Sequence, residues 1–175
     1  MRVRLLPACF LAVAVAVAAT AAIAAPGFAQ IDDLAGVYRY AYPNMLADGE
    51  KFTSEHVLEI VKLSRTEAYI RSHMEFYNGH VCGVWGVAKL EGDALVYRPH
   101  RNDTDAACVL TLRKKGNRIV FGDADNACKY DFCGEHGYLD GVEYPLSSRR
   151  PIRYMKRLQA SRQYGEAIAE RDAKP

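Results

Sequence analysis

The segment TEAYIRSHMEFY, from Thr66 to Tyr77, alternates strictly: Ala68, Ile70, Ser72, Met74 and Phe76 fall on one face, and Tyr69, Arg71, His73, Glu75 and Tyr77 on the other. Successive side chains of a strand point to opposite faces, so this is the pattern of a half-buried β-strand. Asn78-Gly79 follows at once. Both residues tolerate positive φ, which makes the pair the strongest short-range hairpin signal. The strand after the turn runs over His80 to Leu90, and the Val-, Ile- and Leu-rich run Glu55 to Ser64 supplies the one before it.

Working outward, Gly92-Asp93 turns the chain into Ala94 to Arg98. The polar tip Arg101 to Asp105 reverses it into Ala107 to Lys114, and Gly116-Asn117 reverses it again into Arg118 to Gly122. Gly36 to Tyr42 adds a strand at the start. The spacing predicts a mainly β fold, an antiparallel meander of seven or eight strands forming a closed or nearly closed barrel, because an open sheet would leave two unpaired edges. Ile152 to Leu158 is the expected eighth strand, although Pro151 would suit the first turn of a helix equally well. Tyr164, Ala167, Ile168 and Arg171 recur at helical spacing, so a C-terminal helix and tail are expected over 159–175. Asp123 to Ser148, with Gly134, Gly137 and Gly141 among Asp and Tyr, reads as a long loop.

Composition sets the outer bounds. The 175 residues are 50% hydrophobic with a mean hydropathy of −0.18, enough for one compact domain and little room for two. Met1 to Arg4 is a positive start, Leu5 to Ala25 is nearly uninterrupted Leu, Val, Ala and Ile, and small residues follow around Ala29. This is the layout of a secretory signal peptide over 1–29, cut after Ala29. The barrel domain is then expected over 30–158. Beyond the leader, 21 basic groups balance 21 acidic ones, which argues against nucleic acid as partner, since that affinity comes from excess Lys and Arg. Residues 30–148 hold 13 basic and 18 acidic groups, and residues 149–175 hold 8 and 3. A solvated basic helix is the simpler expectation for the tail, and docking on the acidic body the alternative.

Export changes the meaning of the cysteines. Without Cys9 of the leader, Cys82, Cys108, Cys128 and Cys133 remain, an even number in an oxidising compartment. Two disulfides are expected and three pairings are open. Local closure favours Cys128 with Cys133, leaving Cys82 with Cys108. No cofactor or metal is expected. The five histidines are scattered without ligand spacing, and Asp123-x-Asp125-Asn126 lacks the glycine and glutamate that a calcium loop needs.

Gly36-Val37-Tyr38, the meander, and the late basic residues Arg153 or Arg157 resemble the calycin superfamily of lipocalin-like barrels. There the early motif is Gly-x-Trp, and an Arg of the last strand packs across the Trp. The segment from Asn78-Gly79-His80-x-Cys82 through Cys128-x4-Cys133-Gly134-x-x-Gly137 is similar to a group of small exported Gram-negative proteins without assigned activity. Some exported barrels of comparable size and disulfide content inhibit lysozymes. The expected function is a periplasmic or secreted, non-enzymatic binding module acting on another periplasmic or extracellular protein through the long disulfide-stiffened segment Cys128 to Tyr144, because prebuilt loops lose less entropy on binding; inhibition of a cell-wall hydrolase such as lysozyme is its concrete form. The candidate contact residues are Tyr130, Phe132, His136, Tyr138 and Asp140, which mix aromatic and polar groups in the long loop. A lipocalin-like carrier of a small apolar ligand is the alternative. No membrane span is expected to persist after processing.

The exported protein is expected to begin at Gln30 and carry no lipid. Intact-mass measurement of exported material checks this, and retention of Met1 to Ala29 would contradict it.

Overall fold

The computed structural model describes residues 30–100 and 107–173. The expected leader, with Cys9, and the polar tip Arg101 to Asp105 lie outside the described residues. Eight strands follow one another in a single antiparallel sheet: β1 (Gly36–Met45), β2 (Lys51–Lys62), β3 (Glu67–Glu75), β4 (Val81–Glu91), β5 (Ala94–Tyr97), β6 (Leu110–Lys115), β7 (Arg118–Asp123) and β8 (Glu143–Pro145). Strand β1 returns to the chain just past β8, where Val37 and Arg150 exchange two backbone hydrogen bonds of 2.9 Å. The result is a nearly closed barrel, which leaves little edge for another chain to extend.

The alternation from Thr66 to Phe76 sets the walls. Ala68, Ile70, Ser72, Met74 and Phe76 all face the core and are buried. The hairpin after them turns as its two residues require, with Asn78 at φ 56° and Gly79 at φ 74°. The interior is filled by side chains: Tyr38, Leu58, Ile60, Phe121 and Tyr144 are buried to 1% exposure or less within one continuous cluster. Its few polar atoms are satisfied in place. Tyr38 donates to the Leu34 carbonyl at 2.6 Å, and the Tyr144 and Ser72 hydroxyls meet at 2.7 Å. Burial pushes the Tyr38 hydroxyl up to about 12.

Ile152 to Leu158 is not a strand. Glu143–Pro145 takes the eighth place, and after Pro151 the chain leaves the sheet and forms α2 (Met155–Gln159) and, after the N-cap Ser161, α3 (Arg162–Asp172). The helical segment thus begins ahead of the expected boundary at 159. The reason is packing on the barrel's outer wall. Tyr154 and Leu158, one helical turn apart, turn toward the barrel, where Tyr154 donates to Glu59 Oε1 at 2.5 Å and Leu158 is buried against Val61, Tyr69 and Ala167. Tyr69 belongs to the outward face of β3, yet it has no exposure because α3 covers it. The tail therefore docks, and it does so through apolar side chains and its own carboxylates. Neither Arg153 nor Arg157 serves Tyr38: the cation beside that hydroxyl is Arg149, and Arg157 lies over Tyr154 at 5.1 Å.

The disulfides also differ from expectation: Cys82 is joined to Cys133, and Cys108 to Cys128. Cys128 and Cys133 flank the short helix α1 (Lys129–Phe132). Five residues of helix rotate a side chain by about 140° beyond a full turn, so these two thiols point to different walls. The bridges span 51 and 20 residues, worth about 4 and about 3 kcal/mol on a chain-entropy reckoning. Two disulfides mark a chain that folds in an oxidising, non-cytoplasmic compartment. No helix among the described residues is long and apolar enough to cross a membrane.

Two glycines give opposite expectations. A Cβ at Gly86 would overlap the Tyr97 ring, so Gly86→Ala should cost about 1–3 kcal/mol as overpacking. Gly165 lies inside α3 with nothing within 4 Å of a Cβ, so Gly165→Ala should stabilise by about 0.5–1 kcal/mol. Urea midpoints of the two variants check both signs.

Candidate functional site: the loop-bearing rim

Because strand direction alternates, the connections divide between two ends. One end carries only tight turns, after β2, β4 and β6. The other carries the β1–β2 tip, the β3–β4 turn, the β5–β6 connection and the long segment 124–142 between β7 and β8. Both disulfides lie at this second end, at the start of β4 and just before β6. They clamp the long segment to opposite sides of a gap in the wall. Binding residues concentrate on loops that a rigid scaffold positions.

The five exposed large apolar residues among those described are Met45, Tyr77, Val81, Tyr130 and Tyr138. All five stand on this rim. Met45 is at the β1–β2 tip, which the Ala47 backbone N–H ties to Asn78 Oδ1 at 3.2 Å. Tyr77 and Val81 flank the β3–β4 turn. Tyr138 packs its ring on Phe76 at 4.7 Å, and Tyr130 projects from α1 between the two bridges. Exposed apolar residues gathered in this way, with tyrosine prominent, are the composition of an interface.

Beneath the patch is an aromatic floor. Tyr40 and Tyr42 stack at 5.7 Å, and His56 sits among Tyr42, Phe76 and Tyr144 at 5.0–6.4 Å. Tyr42 donates to the Glu75 carbonyl. His56 Nδ1 accepts the Glu75 backbone N–H at 3.1 Å, so that nitrogen is unprotonated. Burial among these rings lowers the His56 pKa to about 4, against the opposing pull of Glu75.

The structure separates the five residues proposed from sequence. Tyr130 and Tyr138 are exposed on the rim, and His136 is beside them, its ring 4.5 Å from that of His80. Phe132 instead packs against the core, 6.3 Å from Tyr97. Asp140 seats the loop: its Oδ1 accepts the Asp123 backbone N–H at 3.0 Å, and Asp123 Oδ1 accepts that of Cys128 at 2.9 Å. Met45, Tyr77 and Val81 are rim residues that sequence reasoning passed over. The signal for Tyr77 and Val81 was the Asn78-Gly79 turn, which puts its flanking residues at a barrel end.

On the flank below the rim, outside the barrel, is a cleft of about 630 Å³. Strand β5 pairs with β4 only at Lys89–Glu91, so the wall opens along the first part of β4. Trp85, Tyr97, Tyr130 and Phe132 give the cleft ring surfaces, and Asp131, Glu166 and Glu170 give it carboxylates. Glu166 Oε2 accepts the Trp85 indole N–H at 3.1 Å. Glu170 accepts the Tyr97 hydroxyl at 2.9 Å and the His100 backbone N–H at 2.8 Å. Among the described residues no group of three or more His, Cys, Asp or Glu is placed to hold a metal ion.

Comparison with protein-family models, with curated proteins and with solved structures found no match to this chain.

Between the His56 value of about 4 and the ordinary 6.5, the unfolded chain binds a proton that the folded one excludes. The stability that neutral His56 contributes is therefore full above pH about 6.5 and is lost as pH falls toward 4. His56→Asn keeps an acceptor for the Glu75 N–H and removes the titration. Chemical denaturation at pH 7 and at pH 4 should show a smaller loss in this variant than in wild type, and equal losses would refute the assignment.

Proposed function

We propose that this chain is an exported, non-enzymatic binding module that captures another periplasmic or secreted protein through its loop-bearing rim. A cell-wall hydrolase such as lysozyme is the partner class to test first. One observation carries the reading: the exposed large apolar side chains and both disulfides occupy the same barrel end. Loops fixed before contact lose less entropy on binding, so each buried ring contributes more to affinity. The filled interior supports recognition on the outside. The lysozyme class rests on the likeness in size and disulfide content to exported barrels that inhibit lysozymes.

The test is inhibition of purified lysozymes and other peptidoglycan hydrolases by wild type and by the double variant Tyr77→Ala, Tyr138→Ala. Loss of two exposed interface rings should weaken inhibition about 30-fold or more, with the melting temperature nearly unchanged because both rings are on the surface. Equal inhibition by the variant would remove the rim from the reading. Wild type that spares every hydrolase and binds an apolar dye stoichiometrically, with binding lost in Met74→Lys, would favour a small-ligand carrier.

A further inference from the structure

The cleft under α3 has a chemistry that the rim patch lacks. Among the described residues its lining holds three carboxylates, those of Asp131, Glu166 and Glu170, and neither lysine nor arginine. Among the described residues the hydrogen bonds to the Glu170 carboxylate come from uncharged donors, the Tyr97 hydroxyl and the His100 N–H. Trp85 stands on the same wall, and aromatic faces attract cations through their ring quadrupole. The chain supplies its own example at the margin. The Arg162 guanidinium lies 5.8 Å from the Trp85 ring centre and bonds Glu166 Oε1 at 2.6 Å, although the arginine side chain is 72% exposed.

The backbone adds acceptors. Leu90 donates to Thr66 across the β3 side at 2.8 Å. By strand alternation Gly83 and Trp85 turn their N–H and C=O groups the other way, toward the side that β5 leaves. No strand pairs with β4 there among the described residues. A volume of about 630 Å³ falls in the range of small-ligand sites.

We propose that this cleft binds an organic cation, an alkylammonium or guanidinium group, held between Trp85 and the carboxylates of Asp131, Glu166 and Glu170. The group is that of a free polyamine or of a lysine or arginine side chain on a peptide, and both present the same chemistry. Arg162 competes at the edge of the site for Glu166 and the Trp85 face. The site shares Tyr130 with the rim patch, whereas Met45, Tyr77, Val81 and Tyr138 do not line it.

Trp85 is the sole tryptophan of the chain, so intrinsic fluorescence reports the cleft directly. The full exported chain is titrated with cadaverine, agmatine, the tripeptide Ac-Ala-Lys-Ala-NH2 and its uncharged norleucine analogue. Saturable change is expected with the cationic probes alone, weakening as salt is raised. Asp131→Asn and Glu170→Gln should each weaken binding about fivefold, and Arg162→Gln should strengthen it by a similar factor. Tighter binding of the tripeptide than of cadaverine assigns the cation to a peptide, and the reverse order assigns it to a free amine; either supports the site. Absence of saturable change, an equal response to the norleucine peptide, or a response indifferent to Asp131, Glu170 and Arg162 overturns it. Persistence of hydrolase inhibition in Asp131→Asn keeps the two proposals separable.

Discussion

The shape of the rim depends on the two covalent ties that hold segment 124–142 to the barrel. The regular structure of the segment is one 3-10 turn, Ala124–Asn126, and the four-residue helix α1, too little to order itself in water. Cys133 fastens it to the start of β4 and Cys108 fastens it just ahead of β6. With both ends of α1 anchored, Phe132 can enter the core, Asp123 and Asp140 can exchange hydrogen bonds with the loop backbone, and Tyr138 can lie on Phe76. A thiol pair closed across α1 itself would have left the segment joined to the barrel only by its chain ends. The bridges therefore decide both loop order and the exposure of Tyr130 and Tyr138.

The outer wall shows a second dependence. Val61, Tyr69, Trp85 and Val87 alternate with the core-facing residues on β2, β3 and β4, and would be an apolar stripe in water without a cover. Helix α3 supplies it with Ala167 and Tyr164, preceded by Leu158 of α2. The polar edge of the same helix then meets the rings that remain: Glu166 takes the Trp85 N–H and Glu170 the Tyr97 hydroxyl. One helix thus buries the stripe and furnishes carboxylates to the cleft beside it. The Glu59 carboxylate, 3% exposed, is satisfied in this layer by Arg71 at 2.8 Å and by Tyr154, which is how a buried charge is tolerated.

The barrel was legible in the sequence because its signals are local. Period-2 alternation in Ala68 to Phe76 and the turn pairs Asn78-Gly79, Gly92-Asp93 and Gly116-Asn117 each act over a few residues. The errors arose where a distant surface decides. Ile152 to Leu158 is short enough to fit either period, and only the covered wall at Val61 and Tyr69 selects the helical one. Tyr69 reads as an outward residue, which it is; nothing near it in the chain announces the helix that covers it. The pairing of Cys128 and Cys133 turned on α1, whose four residues KYDF carry no apolar period. Among the proposed contact residues, Phe132 and Asp140 have side chains suited equally to recognition and to seating a loop, and the core and the Asp123 N–H claim them.

A filled barrel constrains where this fold can recognise anything. Tyr38, Phe121 and Tyr144 occupy the inside with their hydroxyls already satisfied where they have them, and opening such a core would forfeit contacts worth several kcal/mol per large side chain. The available surfaces are then the rim and the flank. They differ in the freedom of their polar groups. On the rim the hydrogen-bonding groups of Tyr42, His56 and Asn78 are engaged in holding the floor and the turn, which leaves Tyr77, Val81 and Tyr138 as apolar contact area. On the flank the carboxylates of Asp131 and Glu170 stand beside the Trp85, Tyr97, Tyr130 and Phe132 rings and form no ion pair among the described residues. A surface of the first kind suits a flat protein partner, and one of the second kind suits a compact ligand of opposite charge. The second surface exists because β5 leaves β4 after Lys89, on the edge where the Cys82 bridge enters.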